Sequence, residues 1–376
     1  MFQNEILEKP VMFSEERMGE LGLGVITLNR PKAYNALNTE CYALIEPKLK
    51  EWIKKDHIAA VWIQASGDKA FCAGGDVKTL VLETQKSGLS FAKEFFTREY
   101  FVDYFVHVYP KPVLAWADGI TMGGGIGLMN GASHRVVTEK SVLAMPELGI
   151  GLFPDVGATH FLGAIKNHFG VFMGLTGARI SSADALEVGL ADYFAASKQK
   201  AKVFADVLRL PWAKDASHNR DLLTEYLSKS LRERPQSENF KDYLRVSKIF
   251  ALKDFSALSK KFRTGDTYKS QFLKEAQERF ISGSPTSQQV FFYAIQRHAS
   301  KPLREVFMAE WEMALQFSRG TEFPEGVRAV LIDKDNKPRW GNPSWAEQAV
   351  NEKTLEEFFH FEDENMLERK LLEAGI

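Results

Sequence analysis

The chain has 376 residues, 45% of them hydrophobic and 26% charged, with a formal net charge of -1, a balance that gives no long-range attraction to nucleic acid or to an acidic membrane surface. Its two cysteines, Cys41 and Cys72, exclude a disulfide framework and fit a reducing compartment. No apolar run approaches the ~20 residues that span a bilayer, and the acidic N-terminus resembles neither a secretory signal nor an Arg-rich transit peptide, so a cytoplasmic enzyme of two domains is expected.

From the N-terminus, residues 21–28 (LGLGVITL) are a β-prone run that ends at Asn29-Arg30-Pro31, where proline removes a ladder donor. Helical spacing covers 39–55, with Thr39 as the expected N-cap. Residues 58–64 (IAAVWIQ) are apolar and rich in β-branched side chains, as a buried parallel strand requires. Ser66-Gly67-Asp68 breaks that strand, FCAGGD (71–76) makes a glycine turn, and a helix is expected over 77–85. An aromatic-rich helix over 91–108 precedes a strand at 113–117, and Gly123-Gly124-Gly125 then opens a short helix. Strand-like runs at 134–138 and 142–145 lead to two acids, Glu147 and Asp155, eight residues apart. Strands alternating with helices predict an α/β layered core. After about Tyr193 helical periodicity dominates, over 201–210, 221–231, 240–250 and 302–319. Residues 327–332 are the clearest strand-like exception, and 217–221 form the softest connection. The expected organisation is a core over 1–200 and a mainly helical region over 201–376.

Each glycine turn follows a β-prone run and precedes a helix. Glycine admits positive φ and close backbone approach, and free N–H groups at a helix start favour negative charge. Two such turns can aim two amides at one oxygen; for either turn alone, a tight bend is a sufficient account. GITMGGGIG departs from G-x-G-x-x-G and no GK[ST] follows, which argues against dinucleotide and P-loop binding.

Glu147 and Asp155 stand among apolar neighbours, where a carboxyl has a raised pKa or needs a partner. Carboxyls in unlike environments divide acid, base and nucleophile work. Asp155 fits equally well as the cap of a helix beginning near Val156. The eight histidines lack metal-ligand spacing, no CxxC occurs, and no G-x-S-x-G elbow marks a nucleophilic serine, so no metal is expected. Cys72 reads as a small buried residue before it reads as a nucleophile. Arg30, Lys32, Lys78 and Lys111 are expected near the mouth of the site, where one or two can meet a phosphate.

NRPKAYNALN (29–38), FCAGGD (71–76) and GITMGGGIGL (119–128), in that order and spacing, resemble the signatures of the crotonase (enoyl-CoA hydratase/isomerase) superfamily. Within it, AMPELGIGLFPDVGATHFL (144–162), SPTS (284–287) and FSRGTEFPEGVRAVLIDKDNKPRW (317–340) are most similar to the 3-hydroxyisobutyryl-CoA hydrolases, so the likeness covers nearly the whole chain. The resemblance implies a core of repeated ββα units with a C-terminal mainly helical region. It implies that the amides of Gly75 and Gly124 hold the thioester oxygen and that Glu147 and Asp155 are the catalytic pair. It also implies that Glu99 lines the substrate pocket and that CoA binds near Lys32, Ala33 and Ala73.

The implied reaction is hydrolysis of 3-hydroxyisobutyryl-CoA in valine breakdown, without metal or redox cofactor, CoA being part of substrate and product. Glu147 either activates water or attacks directly; the sequence leaves both routes open. The C-terminal helices are expected to cover the acyl end or to form the interface of a homo-oligomer. Hydratases carry a glutamate in the helix after the glycine triplet, where this chain has Gly127, which argues against hydration. The alternatives are a hydratase, isomerase or hydrolase of another short acyl-CoA and, below these, a non-enzymatic acyl-CoA binder.

Overall fold

The computed structural model describes residues 9–265, 270–346, 348, 350, 352–360 and 364–376, so the first eight residues of the expected core lie outside it. Strands β1 (Val11–Arg17) and β2 (Gly22–Leu28) pair antiparallel. Helix α1 (Thr39–Ile53) then crosses to β3 (Ile58–Ala65), which runs parallel to β2. The cap of α1 is Asn38, not Thr39. The Asn38 side chain accepts the Cys41 N–H at 3.0 Å, which makes Thr39 the first helical residue.

Next come β4 (Ala70–Cys72), α2 (Val77–Ser87), α3 (Leu89–His107), β5 (Val113–Ala117), β6 (Ile120–Met122), α4 (Gly124–Gly131), β7 (His134–Val137), β8 (Val142–Ala144) and α5 (Ala158–Gly163), then the short strands β9 (Ile180–Ser181) and β10 (Tyr193–Phe194). The order contains three successive ββα units, β3-β4-α2, β5-β6-α4 and β7-β8-α5. The first strand of each unit enters a six-stranded sheet of order β1-β2-β3-β5-β7-β10. The second enters a four-stranded sheet of order β4-β6-β8-β9. Because β4, β6 and β8 are parallel neighbours, the turns that follow them emerge side by side. Those turns are FCAGGD, the glycine triplet and the segment carrying Glu147.

The C-terminal half is mainly helical, with three differences from the sequence reading. Residues 240–250 form two helices, Glu238–Leu244 and Ser247–Phe250, separated at Arg245 and Val246. Residues 217–221 lie inside the helix Ala216–Ser230, which Asp215 caps through the His218 N–H at 2.8 Å. Residues 327–332 are helical: the helix Glu322–Val327 runs on into a π turn, Arg328–Ile332. Val327 and Ala329 are fully buried while Ile332 is exposed, and Arg328 anchors the turn to Glu325, Asp333 and Asp335.

One apolar core joins both halves, with Phe101, Leu152 and Phe172 packed in the same cluster as Phe291, Phe292, Phe307, Trp311 and Phe317. A second, smaller core packs Trp62 and Trp116, stacked at 5.6 Å, with Leu223 and Leu227.

Candidate active site

The three adjacent turns line one cavity of about 790 Å³. Lys32, Ala33, Ala73, Gly75, Glu99, Gly124, Glu147 and Asp155 all line it. Backbone bonds tie its upper wall together: Ala73 N–H donates to Tyr34 O at 3.0 Å, Leu37 N–H to Gly74 O at 2.9 Å, and Asp76 N–H to Leu37 O at 2.7 Å. Of the four cations expected at the mouth, Lys32 and Lys78 are there. Arg30 is instead committed to Asp76, at 3.0 Å, and to Ala36 O. Lys111 is elsewhere, donating to Trp52 O and Lys55 O at 2.6 and 2.8 Å, carbonyls at and just beyond the end of α1. The rim has three further cations, Arg179, Arg279 and Lys334, which no local pattern singles out in the sequence.

Gly74 and Gly123 have φ of 108° and 51°, the region glycine enters without penalty, and these bends turn the following amides inward. A Cβ on Gly124 would lie 3.4 Å from the Gly75 nitrogen, so the two main chains share one small space. The Gly75 N–H has no acceptor among the described residues, and the Gly124 N–H, at the first position of α4, has none within its helix. Two amides without partners beside one cavity can receive a developing oxyanion.

Glu147 opens a 3₁₀ turn, Glu147–Ile150, which the C-terminal half supports from outside. Ser284 N–H donates to Leu148 O at 2.9 Å, and Glu322 gathers the Ser284 and Thr286 hydroxyls. The SPTS stretch therefore braces the turn that carries Glu147. The Glu147 Oε1 faces Gly123, where a Cβ would come within 2.7 Å, and Oε2 is buried without a partner among the described residues. Asp155 does not cap a helix: α5 starts at Ala158 with Gly157 as its cap residue, and the Asp155 carboxylate accepts the Tyr100 hydroxyl at 2.6 Å. Glu99 accepts the Tyr42 hydroxyl at 2.5 Å, and Cys72 is buried with its thiol pushed up by desolvation.

Sequence reasoning missed two more acids here. Asp103 is fully buried on α3, one turn after Glu99, with both carboxyl oxygens unpartnered among the described residues. Glu310, on the helix Leu303–Arg319, is 1% exposed and reaches the segment after Asp155. Burial raises every carboxyl in this group: Asp155 to about 7, and Glu99 and Glu310 to about 8. Glu147 is pushed well above the ordinary range by desolvation, then by the charges of Asp155 and Glu99. Asp103 is raised likewise, by burial first and by Glu99, Asp155 and Glu310 after it. No cation contributes to any of these shifts, so protons have to neutralise the cluster.

A measurable cost follows. Carboxyls raised on folding bind more protons in the folded chain than in the unfolded one, so stability falls as pH rises through their folded pKa values. His107 and His134, lowered by burial from 6.5 to about 4, act oppositely but only below about 6.5. Thermal unfolding should therefore show a melting temperature that declines between about pH 6.5 and pH 8. A rise across that window would mean that the acids are paired in a way this geometry lacks.

The sequence model described as enoyl-CoA hydratase/isomerase matches residues 23–359. The chain is 38% identical over 362 residues to the mitochondrial 3-hydroxyisobutyryl-CoA hydrolase of Danio rerio, covering 94% of this chain and 90% of that protein. It is 36% identical over 318 residues to the protein of the same name from Homo sapiens, covering 84% and 81%. Its fold is similar to that of an enoyl-CoA hydratase from Rhodobacter sphaeroides, with TM-score 0.82 and 30% identity over 93% of this chain and 97% of that one. It is also similar to a carnitinyl-CoA dehydratase from Mycobacterium thermoresistibile, with TM-score 0.83 and 28% identity over 96% and 98%. Three ββα units, two glycine turns on one cavity and a matching sequence lead to one conclusion: the chain belongs to the enoyl-CoA hydratase/isomerase, or crotonase, family.

Proposed function

We propose that the protein hydrolyses the thioester of 3-hydroxyisobutyryl-CoA to 3-hydroxyisobutyrate and CoA, a step of valine breakdown. The observation that carries this reading is the meeting of Glu147, Asp155 and the two unpartnered amides in one cavity, in a chain whose full-length relatives bear that name. The thioester oxygen accepts the Gly75 and Gly124 N–H groups. In one route Glu147 takes a proton from water as the water oxygen bonds to the carbonyl carbon; in the other its carboxylate bonds to that carbon, giving an anhydride that water then opens. In both, the C–S bond breaks and Asp155, protonated at the start, gives its proton to the departing sulfur. It is reprotonated from Glu147 in the first route and from the water that opens the anhydride in the second. Single turnover in heavy-oxygen water, with the label traced into Glu147, separates the routes.

Lys32, Ala33 and Ala73 border the nucleotide end of the cavity, and the rim cations suit its phosphates. Glu99 lines the acyl end. CoA enters as substrate and leaves as product, and no metal or redox group is required; among the described residues no cluster of His, Cys, Asp or Glu could hold a metal ion. We divide the chain into a catalytic core, 1–200, and a covering region, 201–376. No described helix is long and apolar enough to cross a membrane. The two free, buried cysteines suit a reducing compartment, and our reading for this chain is the cytoplasm.

Hydration of an enoyl-CoA is the competing activity, and the surroundings of Gly127 weigh against it. A Cβ there would come within 2.6 Å of Val156 Cβ and 2.8 Å of Asp103 Oδ2, leaving no room for a carboxylate on α4. Thiol release from 3-hydroxyisobutyryl-CoA, 3-hydroxypropionyl-CoA and crotonyl-CoA tests the reading. Release is expected to be fastest from the first, and crotonyl-CoA should keep its double-bond absorbance. Faster loss of that absorbance than of any thioester would overturn the proposal.

A further inference from the structure

We propose that Glu310 is the positioning residue for Asp155, a clamp supplied to the catalytic turn by the C-terminal half; this rests on the hydrolase reading above. Glu310 Oε2 accepts the Gly157 N–H at 2.6 Å and Oε1 accepts the Thr159 N–H at 2.9 Å, across more than 150 residues of chain. These are the open donors at the start of α5, which its own cap residue, Gly157, has no side chain to satisfy. The clamp has a reason to exist at this point. Val156 sits at φ 57°, a left-handed conformation that a β-branched residue adopts only when its surroundings hold it there. That bend lies directly after Asp155, and a carboxyl group bonding both N–H groups beyond it fixes the turn from the far side.

The same helix also secures the other partner of Asp155. Phe307, one turn before Glu310, lies edge-on to Tyr100 at 6.0 Å and against Gly157, where a Cβ would come within 3.0 Å of its ring. Trp311 donates to Thr97 Oγ1 at 2.9 Å, holding the helix to α3 one turn before Phe101. Tyr100, which donates to Asp155, and the turn that presents Asp155 are thus registered on one rigid element.

The clamp sits in a cluster of acids and is itself neutral until about pH 8. The titratable groups facing Asp155 are Glu99, Tyr100 and Asp103 on α3, Glu147 on its 3₁₀ turn, and Glu310; no cation acts on either Asp155 or Glu310. Burial, and after it the charge of Asp155, raises Glu310 to about 8, and Asp155 is raised to about 7, so Asp155 ionises first and Glu310 keeps its proton while it does. Glu310 therefore sets where Asp155 stands.

The test uses the full chain and the Glu310→Gln and Glu310→Asp variants, read by steady-state thiol release, CoA binding, heat unfolding and amide exchange at 157–159. Glutamine keeps the shape and turns an NH₂ toward one of the two amides. The expected result is kcat lower by about 10–100-fold, the scale of a small misplacement of a reacting group, with KM and CoA affinity within about twofold. Exchange at the 157–159 amides should quicken, and Glu310→Asp, which can still accept both N–H groups, should recover part of kcat at unchanged KM. Unchanged kcat in a folded Glu310→Gln, or KM rising in step with the loss of kcat, would overturn the proposal. If Glu310→Gln fails to fold, Glu310→Asp decides alone: wild-type kcat with unchanged exchange overturns the clamp, and a lower kcat at the wild-type pH profile supports it. Failure of the wild-type protein to release thiol would instead overturn the hydrolase reading, and exchange at 157–159 in the variants would still report on the clamp.

Discussion

Glu147→Gln is expected to lower kcat on 3-hydroxyisobutyryl-CoA by about 10²–10⁴-fold, the range for loss of a positioned base, with CoA still bound. Glutamine keeps the volume of the side chain but neither accepts a proton from water nor bonds to the thioester carbon. The side chain contacts the backbone of the glycine triplet and leaves one oxygen unpartnered in the cavity, so its removal touches little else. The fold should be unaffected, or stabilised at high pH, since one buried acid is gone. Asp155→Asn should also lose most turnover and keep CoA, and its residual activity should extend to lower pH. The charge of Asp155 is what raises Glu147 after burial itself, so its loss eases the ionisation of Glu147. Coupled acids titrate as a pair, and the wild-type pH profile should accordingly be a bell whose limbs belong to the pair. Stopped-flow thiol release across pH checks both statements; full activity in Glu147→Gln would remove the mechanism.

Gly124→Ala is expected to lower kcat by about 10²–10³-fold, the cost of one oxyanion donor. The added methyl would stand 2.5 Å from Glu99 Oε1 and 3.4 Å from the Gly75 nitrogen, inside the space that the proposed mechanism gives to the thioester oxygen. Glu99 is buried and held by Tyr42, so the crowding is relieved by shifting the amide or closing the site. The backbone itself tolerates the change, because Gly124 is not among the glycines at positive φ and alanine favours a helix by about 0.5–1 kcal/mol over glycine. Activity should therefore fall by far more than the modest crowding cost to the melting temperature would explain. A variant that keeps wild-type kcat would mean that the oxygen sits elsewhere.

Much of the site was legible because its residues are carried by short, local signals. Glycine pairs after β-prone runs report bends whatever surrounds them, and an acid in an apolar stretch reports an unusual environment. The strands β4 and β6 were less legible: each is three residues long, too short for a period to show, and each exists only because parallel neighbours pair with it. The 327–332 stretch misleads for a related reason, since its apolar composition suits a strand and its packing made it helical. Tyr100 and Asp103 lie on α3 with Glu99, yet a helix with aromatic residues on every side and several charges gives no sign of which polar groups turn inward.

The sequence by itself determined the alternation of short strands and helices, the two glycine turns, the acids at 147 and 155 and the absence of metal-ligand spacing. All of these depend on neighbours a few residues apart, through φ/ψ preference and side-chain chemistry. Only the tertiary structure decided that Asp155 meets Tyr100 rather than a helix end, that Lys111 turns away from the cavity, and that Glu310 closes the circle from the C-terminal half. Those outcomes are set by which buried donors and acceptors find each other across 50 to 150 residues, and no local pattern encodes a pairing of that reach.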